Sequence, residues 1–130
     1  MAGGKTGVDE ELKQLKVIQD ELRELEAARQ KFFQQANENG MVKQELDLLD
    51  DSTPVYKLIG PVLMNQDLDE AKQNVEKRLE FIQREMEKLQ KQIDDKREEE
   101  GKLGDKIAEA QQSMRQRAAE EAHKAAAEAK

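Results

Sequence analysis

A heptad repeat in the second half of the chain most restricts the folds that this sequence can adopt. Between residues 68 and 114, fourteen positions recur at alternating steps of four and three residues, and eleven of them are apolar. The positions are Leu68, Lys72, Val75, Leu79, Ile82, Met86, Leu89, Ile93, Lys96, Glu100, Leu103, Ile107, Ala110 and Met114. A repeat of this length predicts a coiled-coil helix, and its period of about 3.5 residues implies left-handed supercoiling.

The first half of the chain carries a similar apolar stripe, on a helix predicted over residues 6–50. The stripe comprises Leu15, Ile18, Leu22, Leu25, Arg29, Phe32, Ala36, Val42, Leu46 and Leu49. Thr6 is the predicted N-cap, because an acidic first turn follows it and suits the helix dipole. Residues 37–40 interrupt the stripe; we interpret them as a bend or a local weakening in preference to a break, with Asn39 at a core position.

Residues 54–66 form the one segment with β-strand character, set between the two helical patterns. Gly60 and Pro61 suit the central positions of a type II′ turn, because the first of these positions requires a positive φ. We therefore predict a β-hairpin that pairs residues 55–59 with residues 62–65. An isolated two-stranded hairpin is marginally stable in water and has unpaired edges, so this one is expected to pair with strands of other chains. The predicted subunit-assembly residues are Val55, Tyr56, Leu58, Ile59, Gly60, Pro61, Val62, Leu63 and Met64.

Two long helices joined by a hairpin bury their stripes on each other only when they pack antiparallel. The predicted fold is thus mainly α: a long antiparallel coiled-coil hairpin of two helices, joined by one β-hairpin. The second helix is predicted over residues 67–117, with Asp67 as its N-cap, and it is longer than the first. Residues 1–5 are expected to be disordered, and the Ala-rich tail, residues 118–130, to be frayed or disordered.

The free end of this predicted coiled coil combines apolar side chains with Gly101 and Gly104, which weaken a helix by about 1 kcal/mol each relative to Ala. Two interpretations stay open for these apolar residues: they bind other proteins as an exposed tip, or they close the coiled coil. The residues of this predicted tip are Val8, Leu12, Leu15, Leu103, Ile107 and Met114.

Composition excludes several classes of function. Charged residues make up 39% of the chain and aromatic residues 3%, with no Trp, which leaves too little apolar volume for a compact globular core. A net charge of −7 argues against a nucleic-acid partner and against an anionic membrane surface. There is no Cys and no apolar run of about 18 residues, so a soluble intracellular protein is expected.

No catalytic, cofactor-binding or metal-binding pattern is present in the sequence, and an enzyme is not predicted. The run Gly4, Lys5, Thr6 resembles the end of a P-loop but lacks the preceding glycine and buried strand. His123 is the sole histidine and lies in the Ala-rich tail, where a solvated side chain is expected. The carboxylates of residues 94–100 are interspersed with Lys and Arg, as on a solvated helix face.

Residues 45–72 read ELDLLDDSTPVYKLIGPVLMNQDLDEAK, and VEKRLEFI follows from Val75. These runs resemble the signature of a β-class prefoldin subunit. The resemblance implies a heterohexamer of two α-class and four β-class subunits, whose hairpins assemble into intersubunit β-barrels bearing six coiled-coil arms. It also implies an ATP-independent cytoplasmic co-chaperone that captures unfolded proteins, such as actin and tubulin, at the arm tips and transfers them to the cytosolic chaperonin.

An alternative from another class is a coiled-coil tether or scaffold subunit without chaperone activity. Such a protein would dimerise through its apolar stripe, and residues 54–66 would be an incidental loop. The two hypotheses place the assembly energy in different parts of the chain. Polar substitution of Tyr56 and Leu58 should abolish assembly under the first and hardly affect it under the second.

Overall fold

The computed structural model describes residues 8–129. In chain order they form α1 (Asp9–Asp47), β1 (Val55–Ile59), β2 (Val62–Gln66) and α2 (Leu68–Glu128). Two long helices joined by one antiparallel β-hairpin confirm the predicted mainly α fold. In this part of the chain, no helix is both long and apolar enough to span a lipid bilayer.

The helix α1 ends three residues before the end of the predicted span, residues 6–50. Its first turn is closed by the Leu12 amide, which donates to the Val8 carbonyl oxygen at 2.9 Å. The predicted N-cap Thr6 and the predicted disordered start, residues 1–5, lie outside the described residues. At the other end the Leu48 and Leu49 amides each bond a carbonyl three residues earlier, at 3.2 Å. This tighter bonding pattern is common in the last turn of a helix, and it ends α1 before residue 50.

The side of α1 that packs against α2 follows one unbroken heptad pattern. Its positions are all buried or half-buried: Val8, Glu11, Leu15, Ile18, Leu22, Leu25, Arg29, Phe32, Ala36, Asn39, Lys43 and Leu46. The pattern passes through residues 37–40, where α1 has no break. It also corrects one predicted position, since Val42 is 43% exposed and Lys43 takes its place. Asn39 uses its side-chain nitrogen to bond the Gln35 carbonyl oxygen at 2.7 Å, within its own helix.

The helix α2 buries the heptad positions that its sequence predicts. All thirteen from Leu68 to Ala110 are buried or half-buried, Ile93 being only 2% exposed, whereas Met114 is 40% exposed. The Asp67 carboxylate caps the helix by accepting a bond from the Glu70 amide at 3.4 Å.

The C-terminal part of α2 differs from the sequence prediction. Residues 118–130 were expected to be frayed or disordered, yet α2 continues to Glu128. Alanine, which makes up much of this segment, has the highest intrinsic helix propensity, so the segment can be helical without a packing partner. Residues 111–129 are exposed throughout.

The chain divides into two compact units, Leu25–Lys91 and the remaining parts of α1 and α2. In the unit Leu25–Lys91, a core of Leu46, Leu68, Ala71 and Val75 joins the end of α1 to the start of α2. Farther from the hairpin, the rings of Phe32 and Phe81 meet edge to face, with centroids 6.4 Å apart. The two helix segments of this unit therefore run antiparallel.

In the other unit, the parts of α1 and α2 are joined by an ion pair between helices. The Lys96 ammonium lies 2.6 Å from a Glu21 carboxylate oxygen. Lys96 occupies a heptad position of α2 and is half-buried. The hydrogen bond that it donates to Glu21 raises the pKa of Lys96 above its ordinary value of 10.5, in opposition to partial desolvation. A charge in the apolar seam is thereby paired across the two helices.

Candidate subunit-assembly surface

The hairpin turns at Gly60 and Pro61 and has a single register. Val55 pairs with Gln66, Leu58 with Leu63, and Ile59 with Val62. Gly60 has a φ of +58°, a backbone conformation that would be strained in a residue with a side chain. This φ is the one that a type II′ loop requires at its first central position. The β2 strand ends at Gln66, one residue beyond the predicted span.

The turn that leads into the hairpin is organised by Asp50. One of its carboxylate oxygens accepts bonds from the Ser52 amide at 2.9 Å, from the Ser52 hydroxyl, and from the Thr53 hydroxyl at 3.2 Å. The bonds from Ser52, followed by that from Thr53, hold the pKa of Asp50 below its ordinary value of 3.8. Pro54 follows and favours an extended conformation at the residue before it, which directs the chain from the turn into β1.

The base of the hairpin packs on the helices. Val55 is half-buried against the core that contains Leu46, Leu68, Ala71 and Val75. Gln66, paired with Val55, is also half-buried. Val55 and Gln66 also line an open cavity of about 230 Å³, together with Val42 and Arg78 of the helices. The hairpin is thus fixed to the helices at its base.

Beyond that base, the hairpin is exposed on both faces. We call its six exposed large apolar side chains the hairpin surface. They are Tyr56 (58% exposed), Leu58 (66%), Ile59 (50%), Val62 (55%), Leu63 (66%) and Met64 (51%). Since side chains alternate across a strand, Tyr56, Leu58 and Leu63 lie on one face, and Ile59, Val62 and Met64 on the other.

Both strands are also edge strands, because the sheet formed within residues 8–129 has two strands. Along an antiparallel ladder, hydrogen-bonded and non-hydrogen-bonded pairs alternate, so every second residue directs its N–H and C=O away from the partner strand. The hairpin thus combines two open backbone edges with two apolar faces. Such a sheet is a template for pairing with further strands.

The six residues of the predicted tip are less uniform. Val8 and Ile107 are buried at 8% and 7% exposure, and Leu15 and Leu103 are half-buried. Leu12 and Met114 are exposed, at 44% and 40%. Met114 borders an open depression of about 460 Å³ together with Gln111, Arg115 and Ala118. Only Leu12 and Met114 of this set present substantial apolar surface to solvent.

No group of three or more His, Cys, Asp or Glu side chains within residues 8–129 is arranged to hold a metal ion. His123 is exposed near the end of α2. Four apolar residues that the sequence analysis did not select are more exposed than the tip residues: Val17 at 55%, Met41 at 62%, Leu48 at 85% and Phe81 at 51%.

The family model described as "Prefoldin subunit" matches residues 9–114. The chain belongs to the prefoldin family. A probable prefoldin subunit 6 of Caenorhabditis briggsae is 38% identical over 118 residues, which cover 91% of this chain and 92% of that protein. Prefoldin subunit 6 of Saccharomyces cerevisiae is 50% identical over 82 residues, covering 63% and 72% of the two chains.

The fold also matches that of a prefoldin. The crystal structure of the prefoldin beta subunit from Thermococcus strain KS-1 superposes with a TM-score of 0.77 at 24% identity, covering 79% of this chain and 90% of that one. The resemblance of residues 45–82 to a prefoldin subunit is confirmed by the family match, and the curated relatives share the name of subunit 6. As a prefoldin subunit, the chain is part of a chaperone-associated complex with other prefoldin subunits.

Proposed function

We propose that this chain is a subunit of a cytoplasmic prefoldin hexamer that captures unfolded proteins, including actin and tubulin, and transfers them to the cytosolic chaperonin without using ATP. The observation that carries the proposal is the hairpin, which is fixed to the helices at its base and exposed on both faces and both edges. Strands from α-class and β-class subunits complete a β-barrel around it.

The energetic argument concerns the six side chains of the hairpin surface. Each is between 50% and 66% exposed in the isolated chain. Full burial of a large aliphatic side chain is worth roughly 1.5–3 kcal/mol, so covering half to two-thirds of each is worth about 1–2 kcal/mol. Six such contributions, added to new backbone hydrogen bonds, are enough to offset the entropic cost of association.

Client capture is assigned to Leu12 and Met114, the exposed members of the predicted tip. Two side chains would hold an unfolded segment weakly. Several tips on one hexamer raise the effective concentration of binding surface, so a client is retained although each contact dissociates rapidly. The buried members Val8 and Ile107 instead stabilise the helices. If they were substituted, a loss of client binding could not be distinguished from a loss of structure.

The experiment has two stages. The native mass of the chain is first measured alone and then after mixing with an α-class prefoldin subunit; a complex of about six chains, absent without the α-class subunit, is expected. The purified hexamer is then tested for suppression of aggregation of chemically unfolded actin. The Leu12→Ser, Met114→Ser double variant should assemble normally and suppress aggregation less.

Two results would contradict the proposal. A stable homodimer that ignores the α-class chain would favour the coiled-coil tether. A double variant that assembles and protects actin as well as the unsubstituted chain would remove Leu12 and Met114 from client binding.

A further inference from the structure

The open cavity at the base of the hairpin is lined by two cationic residues and, among the described residues, by no acidic one. Lys57 of β1 and Arg78 of α2 both line this cavity of about 230 Å³, and both are exposed. Its other lining residues are apolar or uncharged, among them Val42 and Asn74. The chain as a whole has 29 acidic residues against 22 basic ones, so a cationic cavity is not what its composition favours.

The position of Lys57 in β1 places its charge on an otherwise uncharged sheet face. Lys57 follows Val55 by two residues, so both side chains lie on the same face of the strand. Val55 packs against the core formed by the helices. Farther from the helices, the same face carries Ile59 and Met64 of the hairpin surface. Lys57 is the sole charged residue of the segment 54–66, and it lies between the helices and this apolar face.

Neither cation is paired with a carboxylate of the chain itself. Within residues 8–129, neither Lys57 nor Arg78 forms an ion pair. The nearest side chains on β2 that share the face of Lys57 are Val62, Met64 and Gln66. The residues three and four positions from Arg78, which are its neighbours on the helix surface, are Asn74, Val75, Phe81 and Ile82. None of these neighbours is acidic, so β2 and α2 supply no partner.

Assembly through the hairpin makes an unpaired Lys57 costly. Under the proposed function, strands of other subunits cover the face that carries Ile59 and Met64, and Lys57 lies beside them. Removing an ammonium group from water costs several kcal/mol unless the group is paired with an opposite charge. An apolar neighbour would not supply that charge. A carboxylate would, because its two oxygens can accept hydrogen bonds from an ammonium and a guanidinium group at once.

Sheet geometry indicates which incoming strand would carry the carboxylate. A strand that pairs with the open edge of β1 places a side chain opposite Lys57, on the same face and with its Cβ about 5 Å away. A strand that pairs with β2 instead lies two strand spacings from Lys57, roughly 10 Å. The edge of β1 is therefore the position from which an acidic side chain contacts Lys57 directly.

We propose that this cavity receives an Asp or Glu side chain of a neighbouring prefoldin subunit, carried by the strand that pairs with β1, and that Lys57 and Arg78 bind its carboxylate. This contact rests on the proposed assembly of the hexamer. It adds a charge requirement to backbone pairing, which by itself accepts any strand. A neighbour with an apolar or basic residue opposite Lys57 is disfavoured, because Lys57 would be covered without a partner.

Carbodiimide cross-linking of the purified hexamer without client can identify the carboxylate. The reagent activates a carboxylate, which then forms an amide with an amine in direct contact but does not link to a guanidinium group. Lys57 should be linked to an Asp or Glu in a strand of a neighbouring subunit, as read from the masses of the linked peptides. Lys57→Arg should assemble with unchanged affinity and lose this link. A hexamer in which Lys57 is linked to no carboxylate, or is linked only to added unfolded actin, would overturn the proposal.

An affinity measurement with an α-class subunit gives a second test, in which the two possibilities differ in sign. Lys57→Met leaves the neighbour's carboxylate unpaired and should weaken assembly by about tenfold or more, with the helix content of the isolated chain unchanged. Lys77→Met is the matched control, because it removes the same charge from an exposed position of α2 outside the cavity, and its affinity should be unchanged. If Lys57 is merely solvated, Lys57→Met adds apolar surface and should assemble equally well or more tightly, which would overturn the proposal and leave the hairpin assembly standing. A chain that enters no complex at all, recognised from its native mass, would overturn both this contact and the proposed function.

Discussion

Removing the two leucines that face each other on the hairpin should weaken assembly without unfolding the chain. Leu58 and Leu63 are directly paired, and each is 66% exposed. Burying a leucine completely is worth roughly 1.5–3 kcal/mol, and two-thirds of that amount, about 1–2 kcal/mol, is still available to a partner. Leu58→Ser with Leu63→Ser should therefore cost about 2–4 kcal/mol of assembly free energy, or roughly a 30- to 900-fold loss of affinity.

The assay is a titration of the double variant with an α-class subunit, followed by native mass or sedimentation. Circular dichroism of the isolated chain should show the same helix content and nearly the same melting temperature, because the two side chains bury little area before assembly. Val17→Ser is the matched control, because Val17 lies on α1, is 55% exposed and does not belong to the hairpin. Its affinity should be unchanged.

A folded double variant that assembles with unchanged affinity would refute the reasoning, because the apolar faces of the hairpin would then contribute nothing. Loss of affinity in Val17→Ser as well would show that assembly responds to apolar surface in general. Only a loss confined to the hairpin variant supports the β-barrel contact.

Three further predictions concern backbone conformation and pH. Gly101→Ala should raise the melting temperature in a thermal scan, because Gly101 is helical and a Cβ there would meet nothing within 4 Å. Ala is favoured over Gly in a helix by about 1 kcal/mol. Gly60→Ala should instead weaken the hairpin and its assembly, because Gly60 has a φ of +58°, which strains a residue that carries a side chain. The raised pKa of Lys96 means that its pairing with Glu21 stabilises the fold below the ordinary lysine pKa, and that this contribution is lost as the pH rises through the higher folded-state pKa. The difference in melting temperature between the unsubstituted chain and Lys96→Met should consequently shrink between about pH 9 and about pH 12, and a constant difference would contradict it.

Much of the fold could be predicted from the sequence because its signals are periodic and local. The heptad positions of α2 are spaced by backbone geometry alone, and the Gly60-Pro61 pair specifies a turn with few alternatives. One predicted buried position was wrong because it was chosen for its apolar side chain and not for its heptad spacing. Val42 was preferred to Lys43 because it is apolar, although the heptad that passes through Asn39 places position 43 against α2.

The end of α2 was mispredicted for a related reason. The absence of an apolar stripe in residues 118–130 suggested disorder, but alanine-rich helices need no stripe to form when a longer helix precedes them, because nucleation has already occurred. A segment can form a helix without burying side chains against another element. Residues 111–129 do so, since they are helical almost to their end and exposed throughout.

The candidate site was only partly accessible to the same reasoning. The hairpin residues could be selected because an isolated two-stranded sheet is incomplete, whichever protein contains it. Which residues of the predicted tip are exposed could not be predicted from apolar character, because Val8 and Leu12 are both apolar. Their exposures differ only through their heptad positions.

The helices and the hairpin differ in how much of their apolar surface the chain itself buries. Its apolar heptad side chains are largely buried within the chain, so the helices need no other subunit to cover their seam. The hairpin surface remains uncovered, in the compact unit Leu25–Lys91. Strand pairing at the hairpin is permissive, because any β-strand offers the same backbone groups, whereas contacts to its exposed side chains depend on the sequence of the neighbour. Under the proposed function, discrimination between related neighbouring subunits therefore depends on the exposed side chains of the hairpin.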